Sequence, residues 1–310
     1  MGQHRNPELT ESTKGNPTTM KTAKTTKILA TVAATLTFAA ATAFAADSNF
    51  DRTLNVSGSP NVSVATGSGY IHLNPGSGNQ VHIIAHVRSS HGWMSGGNDV
   101  DSRIQQIVAN PPIVQNGNDI TIGERHGNND LYRNINIDYE ITLPKTSAIN
   151  ATTGSGDVQI QDVGASVKAQ SGSGSVHVHG VQGPSTLGTG SGDIELQQTG
   201  PGDVKAETGS GSIRLNGLNG ALKASTGSGD IEAQGQPTTD WKVSTGSGTV
   251  RLIVGNARFN LDADTGSGSI NVSQPITMQG SLNRHHVSGV VNGGGPTIRV
   301  GTGSGDIQIK

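Results

Sequence analysis

Five sets of residues in this sequence have types and spacings that could do chemistry. His177-x-His179 sets two imidazoles on one face of a strand, and His285-His286 is a second pair. Either suits a transition metal, which imidazole nitrogen binds well. Neither has a third ligand identifiable nearby, so solvated surface histidine is the stronger reading. Gly-Ser-Gly loops invite comparison with phosphate cradles, but those need a helix N-terminus behind the loop. Here a strand follows every time.

The phrase G-S-G-D-I is close to calcium-binding β-roll repeats. Calcium takes several oxygens at about 2.3–2.6 Å. The Asp residues recur only in alternate repeats, two strand spacings or about 9.6 Å apart. Carbohydrate cleavage needs two carboxylates flanking one bond, whereas the acids here stand in regular, charge-compensated positions. Neither G-x-S-x-G nor H-E-x-x-H occurs. The fifth set is Lys168, Lys205, Lys223 and Lys242, a basic strip that could engage an anionic polysaccharide or envelope surface. Lysines guarding a solvated β surface read the same way. The sequence therefore predicts no enzyme, no catalytic residue, no metal site and no cofactor.

A repeat positions these residues. Gly-Ser-Gly triplets preceded by Thr or Ser begin at Gly67, Gly154, Gly172, Gly190, Gly209, Gly227, Gly246, Gly266 and Gly303. From 154 the steps are 18, 18, 19, 18, 19, 20 and 37 residues; the last reads as two steps with a degenerate copy around 280–290. Before each triplet, apolar residues alternate with polar ones, as in Val204-Lys205-Ala206 and Leu222-Lys223-Ala224. After it the same period returns, as in Ile194-Glu195-Leu196 and Ile213-Arg214-Leu215. Period two on both sides of a Gly-rich turn means strand, turn, strand, and a fixed period of this length means a solenoid. Equivalent residues then stack about 4.8 Å apart.

Stacking explains the substitutions between copies. One column reads Gln159, His177, Glu195, Arg214, Glu232, Arg251, Asn271, so Glu195, Arg214, Glu232 and Arg251 form a structural charge ladder. Another reads Asp157, Ser175, Asp193, Ser212, Asp230, Thr249, Ser269, with no Asp on another Asp. Like charges about 5 Å apart repel by roughly 1 kcal/mol even in water. The alternation removes that repulsion and fixes register. The Thr or Ser before each triplet shares the parity of the apolar columns and should face inward as a hydroxyl ladder.

Composition narrows the function classes. A formal charge of -2 removes the main argument for a nucleic-acid partner. The absence of Cys excludes disulfides, thiolate metal sites and a lipid-modified N-terminal Cys. From Met20 a basic stretch, the apolar run ILATVAATLTFAAATAFA and Ala43-Phe44-Ala45 read as a cleavable signal peptide over 20–45, with 1–19 as an upstream extension. No later segment is apolar enough to span a bilayer. Export places the mature chain in the periplasm, at the cell surface or outside the cell.

Residues 46–148 read as an N-terminal β region capping a regular solenoid over 149–310. Strands are predicted at 81–88 and 134–144. A short helix is predicted over 98–112, where Val100, Ile104, Ile107 and Val108 share a face. The last phrase, GSGDIQIK, shows no cap and reads as an open edge that could pair with another copy.

With Phe50-Asp51-Arg52-Thr53-Leu54, Asp138-Tyr139-Glu140-Ile141-Thr142-Leu143-Pro144 and the serial TGSGDI strands, the chain over about 50–310 resembles the bacterial putative-adhesin family of exported β-strand-repeat proteins. The resemblance implies an exported β-solenoid with an adhesin label, and supplies no catalytic residues. The expected architecture is all-β: a parallel β-solenoid (β-helix) of about nine 18–20-residue coils with an irregular β-rich N-terminal cap. Right-handed winding follows from the general crossover preference. The expected role is a non-catalytic interaction module. The alternatives are self-assembly through the C-terminal coil and, less favoured, a polysaccharide-active enzyme with its carboxylates near the degenerate stretch at 280–296.

Overall fold

The computed structural model of the chain describes residues 48–90, 98–123, 130–278 and 284–310. Contacts divide the chain into Met1–Ala43 and Phe44–Lys310. The expected upstream extension and signal peptide lie outside the described residues, as does part of the degenerate stretch.

Among the described residues, the unit from Phe44 is all-β apart from the helix Asn98–Ala109 and one 3₁₀ turn, Asp130–Tyr132. It is a parallel β-solenoid. Each regular coil runs from a strand, through a Gly-Ser-Gly turn, into a second strand. The strands after the turns stack into a 12-stranded sheet, sheet I, and those before them into a 13-stranded sheet, sheet II. The alternation that marks strands also sorts their faces. Ile213 and Leu215 in sheet I, and Val204 and Ala206 in sheet II, are inward and at most 3% exposed. Burying each Ile or Leu contributes about 1.5–3 kcal/mol, and the columns of such residues join into one continuous core.

The turns fit because their residues are small. A Cβ on the third residue of nearly every triplet would strike the carbonyl oxygen of its counterpart in the adjacent coil, as Gly192 would meet Gly174 and Gly211 would meet Gly192. Only glycine allows that approach. The Thr before the triplet does face inward, 8% exposed or less at Thr189, Thr208, Thr226 and Thr245. It does not bond to other hydroxyls. From Thr153 onward the hydroxyl donates to the neighbouring coil's glycine carbonyl, as from Thr208 to Gly192 at 2.9 Å and from Thr226 to Gly211 at 2.9 Å. The Asp column also links coils. Oδ1 of Asp193 accepts the amide of Ser212 at 2.8 Å, and that of Asp230 accepts the amide of Thr249 at 2.7 Å. The alternation thus hydrogen-bonds one coil to the next, besides keeping carboxylates apart.

Coil order departs from chain order at the C-terminal end. Thr297–Ser304 lies between Trp241–Ser247 and Phe259–Ser267, parallel to both. Ile307–Ile309 lies between Val250–Ile253 and Ile270–Val272. The glycine contacts agree, running Gly246, Gly303, Gly266. The expected open edge at GSGDIQIK is therefore corrected, and with it homo-oligomerisation through an uncapped C-terminal coil: both backbone edges of that coil are already paired. The expected degenerate copy is corrected too. His286–Val291 runs antiparallel to Phe259–Ser267 and carries the short strand Ile276–Met278, so this stretch folds back as an end hairpin.

Insertion changes the columns. Asp306 stands between Thr249 and Ser269, its Oδ1 accepting the Ser269 amide at 2.8 Å. Alternation then runs unbroken to the end. Gln308 likewise separates Arg251 from Asn271.

The N-terminal end is built the same way. Asn61–Thr66 and Ile71–Pro75 stack directly on Ala148–Thr153 and Val158–Gln161. Further strands, from both earlier and later in the chain, close outside them. Ile135–Leu143 pairs with Ile71–Pro75, Gln80–Ser89 with Ile135–Leu143, and Ser48–Asn55 with Gln80–Ser89. Val81, Ile83, Ala85 and Val87 are fully buried, as alternation required. The helix packs on these outer strands through Val100, Ile104 and Ile107.

Candidate interaction face

The outer surface of sheet II carries the basic strip. Register places Lys168, Thr186, Lys205, Lys223, Lys242, Arg299 and Asp262 in one column. The first four cations are those singled out from the sequence. Arg299 joins them only because its coil is inserted beside Lys242. Neighbouring side chains in such a column stand about 4.8 Å apart at their bases.

Besides Asp262 at the end of the column, a carboxylate lies among the lysines, two residues along from Lys205 and hence on the same side of the strand. Glu207 accepts Lys223 Nζ at 2.8 Å and Lys205 Nζ at 2.9 Å. The hydrogen bond from Lys223, then that from Lys205, holds its carboxyl below the usual range. The strip is therefore braced at its centre. Lys168 and Lys242 take part in no ion pair among the described residues, and Arg299 approaches Asp262 at 4.0 Å. From Ser166–Ser171 to Thr297–Ser304 the six strands carry five cations against Glu207 alone.

Sheet I differs. Its outer column reads His72, Gln159, His177, Glu195, Arg214, Glu232, Arg251, Gln308, Asn271. Signs balance along it. His177 Nδ1 lies 3.4 Å from Glu195, while no close ion pair joins Arg214, Glu232 and Arg251 among the described residues. Nearer the N-terminal end, buried Asp138 takes the Arg88 guanidinium and accepts the Tyr70 amide at 3.0 Å. The Tyr70 ring stacks on His72 at 4.2 Å, and its hydroxyl donates to Glu140 at 3.0 Å. Burial first, then Glu140, pushes that phenol up to about 12.

His177 and His179 share the outer face of their strand. His286 faces Asp264, with Nδ1 to Oδ1 at 2.6 Å, across the antiparallel strands. Together with Asp262 they form the one group of three potential metal ligands found among the described residues, all within 4.8 Å of one another. This set stands beside the stretch where the repeat fails, on an exposed surface. Sequence reasoning missed it because Asp262-x-Asp264 looks like two more strand-surface acids, and their partner arrives through a hairpin that the repeat does not announce.

Residues 99–310 match the family model described as Toastrack DUF4097. No curated protein matches the chain. Among solved structures, it is similar to a putative adhesin from Bacteroides fragilis NCTC 9343, at 14% identity over 86% of this chain and 99% of that one, with a TM-score of 0.42. It is similar also to a putative adhesin from Parabacteroides merdae ATCC 43184, at 12% identity over 85% and 96%, TM-score 0.39. A putative cell adhesion protein from Clostridium sporogenes ATCC 15579 matches at 12% identity over 84% and 99%, TM-score 0.25.

Proposed function

The chain belongs to the Toastrack DUF4097 family, and we propose that it is a non-catalytic interaction module whose working surface is the outer face of sheet II. The observation that carries this reading is the charge count over six strands of that face, Ser166–Ser171 to Thr297–Ser304: five cations, stacked in one column that ends at Asp262, to one carboxylate. A column of evenly spaced cations suits a polyanion, either an acidic polysaccharide or the headgroups of an anionic membrane. The leader pattern over 20–45 supports export, which would bring the module to the cell envelope. No helix among the described residues is long and apolar enough to cross a membrane.

The test is binding of the purified protein to acidic and neutral polysaccharides, and to anionic and neutral vesicles, at low and high salt. Polyanion binding should weaken with salt. Replacing Lys205, Lys223 and Lys242 together by Gln should weaken it about a hundredfold, at about 1 kcal/mol for each cation near an anionic surface. Equal binding to neutral and anionic partners would overturn the reading.

Glu207→Gln provides the opposite sign. It frees two lysines and should tighten polyanion binding by about fivefold, the worth of one charge at such a surface. Acid should act in the same direction. Because the folded pKa of Glu207 is lowered, its ion pairs contribute stability above the unfolded pKa and lose it as pH falls through the folded one. In that same window the lysines are released, so the tightening should appear below the ordinary carboxylate range. A pH titration of binding, with Glu207→Gln as the pH-insensitive control, reads it.

A further inference from the structure

The N-terminal end of the solenoid holds a cavity that the basic face does not use. It measures about 280 Å³ and lies between the first Gly-Ser-Gly turn and the start of Ile135–Leu143. Thr66, Ser68, Ser90, Asn134, Asn136 and Tyr139 contribute to its wall, and no charged residue among those described does. That volume is at the lower end for a ligand pocket, enough for one small ring.

Tyr139 is the unusual member. It is fully buried, its ring packed edge-on against Phe50 at 6.4 Å. Its hydroxyl has no hydrogen-bond partner. Buried polar groups are nearly always paired, and an orphan destabilises the fold. Phenylalanine would fill the same space without that penalty, so nothing in the packing accounts for the oxygen. Burial, with Tyr132 second, pushes the phenol well above its ordinary range, which keeps the proton on and the group a donor. The hydroxyl lies close to that wall: a Cβ on Gly123, whose φ is +77°, would come within 3.2 Å of it and collide with the carbonyl of Ala65, itself part of the wall.

The other groups narrow the guest. Thr66 already donates to the Ile137 carbonyl at 3.0 Å, so its hydroxyl can only accept. Asn134 and Asn136 amides both donate and accept. Asn134 holds a left-handed backbone, φ 61°, at the rim. With donors and acceptors interleaved and no charge, the wall suits a neutral molecule rich in hydroxyls. We infer that this cavity binds a neutral polyhydroxylated ligand the size of a single sugar residue, with the Tyr139 hydroxyl donating to it. The site is separate from the basic face and does not depend on that face's role.

Free glucose, N-acetylglucosamine and glycerol are the probes, titrated into the full chain and followed by NMR shifts and by melting temperature. At least one should bind saturably, with shifts confined to residues around Ser68, Asn136 and Tyr139. Tyr139→Phe should weaken that binding about tenfold, the worth of one good hydrogen bond, while its melting temperature without ligand stays level or rises. Asn136→Leu, at the mouth, should weaken binding as well. No binding by any probe in the intact protein would overturn the proposal, as would equal binding in Tyr139→Phe. So would a lower melting temperature for Tyr139→Phe alone, since the hydroxyl would then be satisfied within the fold.

Discussion

A chain ended at Pro296 is expected to lose structure over residues that the deletion does not touch. The last coil is held on both sides, by Trp241–Ser247 and Val250–Ile253 on one and by Phe259–Ser267 and Ile270–Val272 on the other. Its inward side chains Ile298, Val300, Ile307 and Ile309 are at most 3% exposed. At about 1.5–3 kcal/mol each they contribute roughly 6–12 kcal/mol, comparable with the whole net stability of a typical domain. Two sheet edges also lose their partners. The strands from Phe259 onward cannot simply settle onto the coil below, because Ser269 would then meet Thr249, with no carboxylate to accept its amide. Hydrogen exchange should therefore show protection lost across 259–291 in the shortened chain, with 148–236 largely retained. If 259–272 kept its protection, the last coil would be an ordinary end coil.

Gly211→Ala should cost about 3 kcal/mol or more, above the middle of the range for overpacking because the colliding atom is backbone. The new methyl would run into the carbonyl oxygen of Gly192. That oxygen cannot swing aside, since it accepts the Thr208 hydroxyl at 2.9 Å and belongs to the stacked turn. The coils would have to part, loosening the bond from the Ser212 amide to Asp193. Urea melts should move accordingly, with a fall in Tm of roughly 6–12 °C for a domain of this size. Gly67→Ala is the control. It alters the first glycine of the first triplet, where nothing lies within 4 Å of the added methyl. Its effect should stay within about 0.5 kcal/mol, as for an ordinary surface change. Equal losses at the two positions would mean that glycine is needed for its flexibility and not for the close approach of coils.

Much of this architecture was legible in the sequence, because period two names both the strand and its buried face. Val81, Ile83, Ala85 and Val87 went inward as read, and the Thr and Ser before the triplets followed. The helix at Asn98–Ala109 was marked by its apolar face and by acids in its first turn. Coil order was not legible from local pattern, since a coil looks the same wherever it stacks. A nonlocal signal did exist. Thr249 followed by Ser269 breaks the Asp/Ser alternation, and Asp306, further along the chain, is the residue that mends it.

Register stacks the lysines in one column, and a carboxylate that the sequence reading did not count stands among them. Glu207 lies two residues from Lys205, and the parity that placed the lysines also places it on their face. The inward hydroxyls lacked a predicted partner because that partner is a carbonyl, which carries no sequence identity. Asp264 and His286 meet across an antiparallel pairing that lies outside the parallel register of the repeat.

Position of the last coil decides both how the C-terminal end is closed and whether the basic column continues from Lys242 to Arg299. The chain has no Cys, so introduced pairs report neighbours without background. Adjacent strands put Cα atoms about 4.8 Å apart, inside the range a disulfide spans, while the next strand but one, at roughly 9.6 Å, lies beyond it. Oxidation of the double variant Lys242→Cys/Arg299→Cys, and of Arg299→Cys/Asp262→Cys, should give an intramolecular cross-link. Lys242→Cys/Asp262→Cys should give none. Efficient cross-linking of Lys242→Cys with Asp262→Cys, and none with Arg299→Cys, would mean that the coils stack in chain order, and the inserted coil and the continuous basic face would both be wrong.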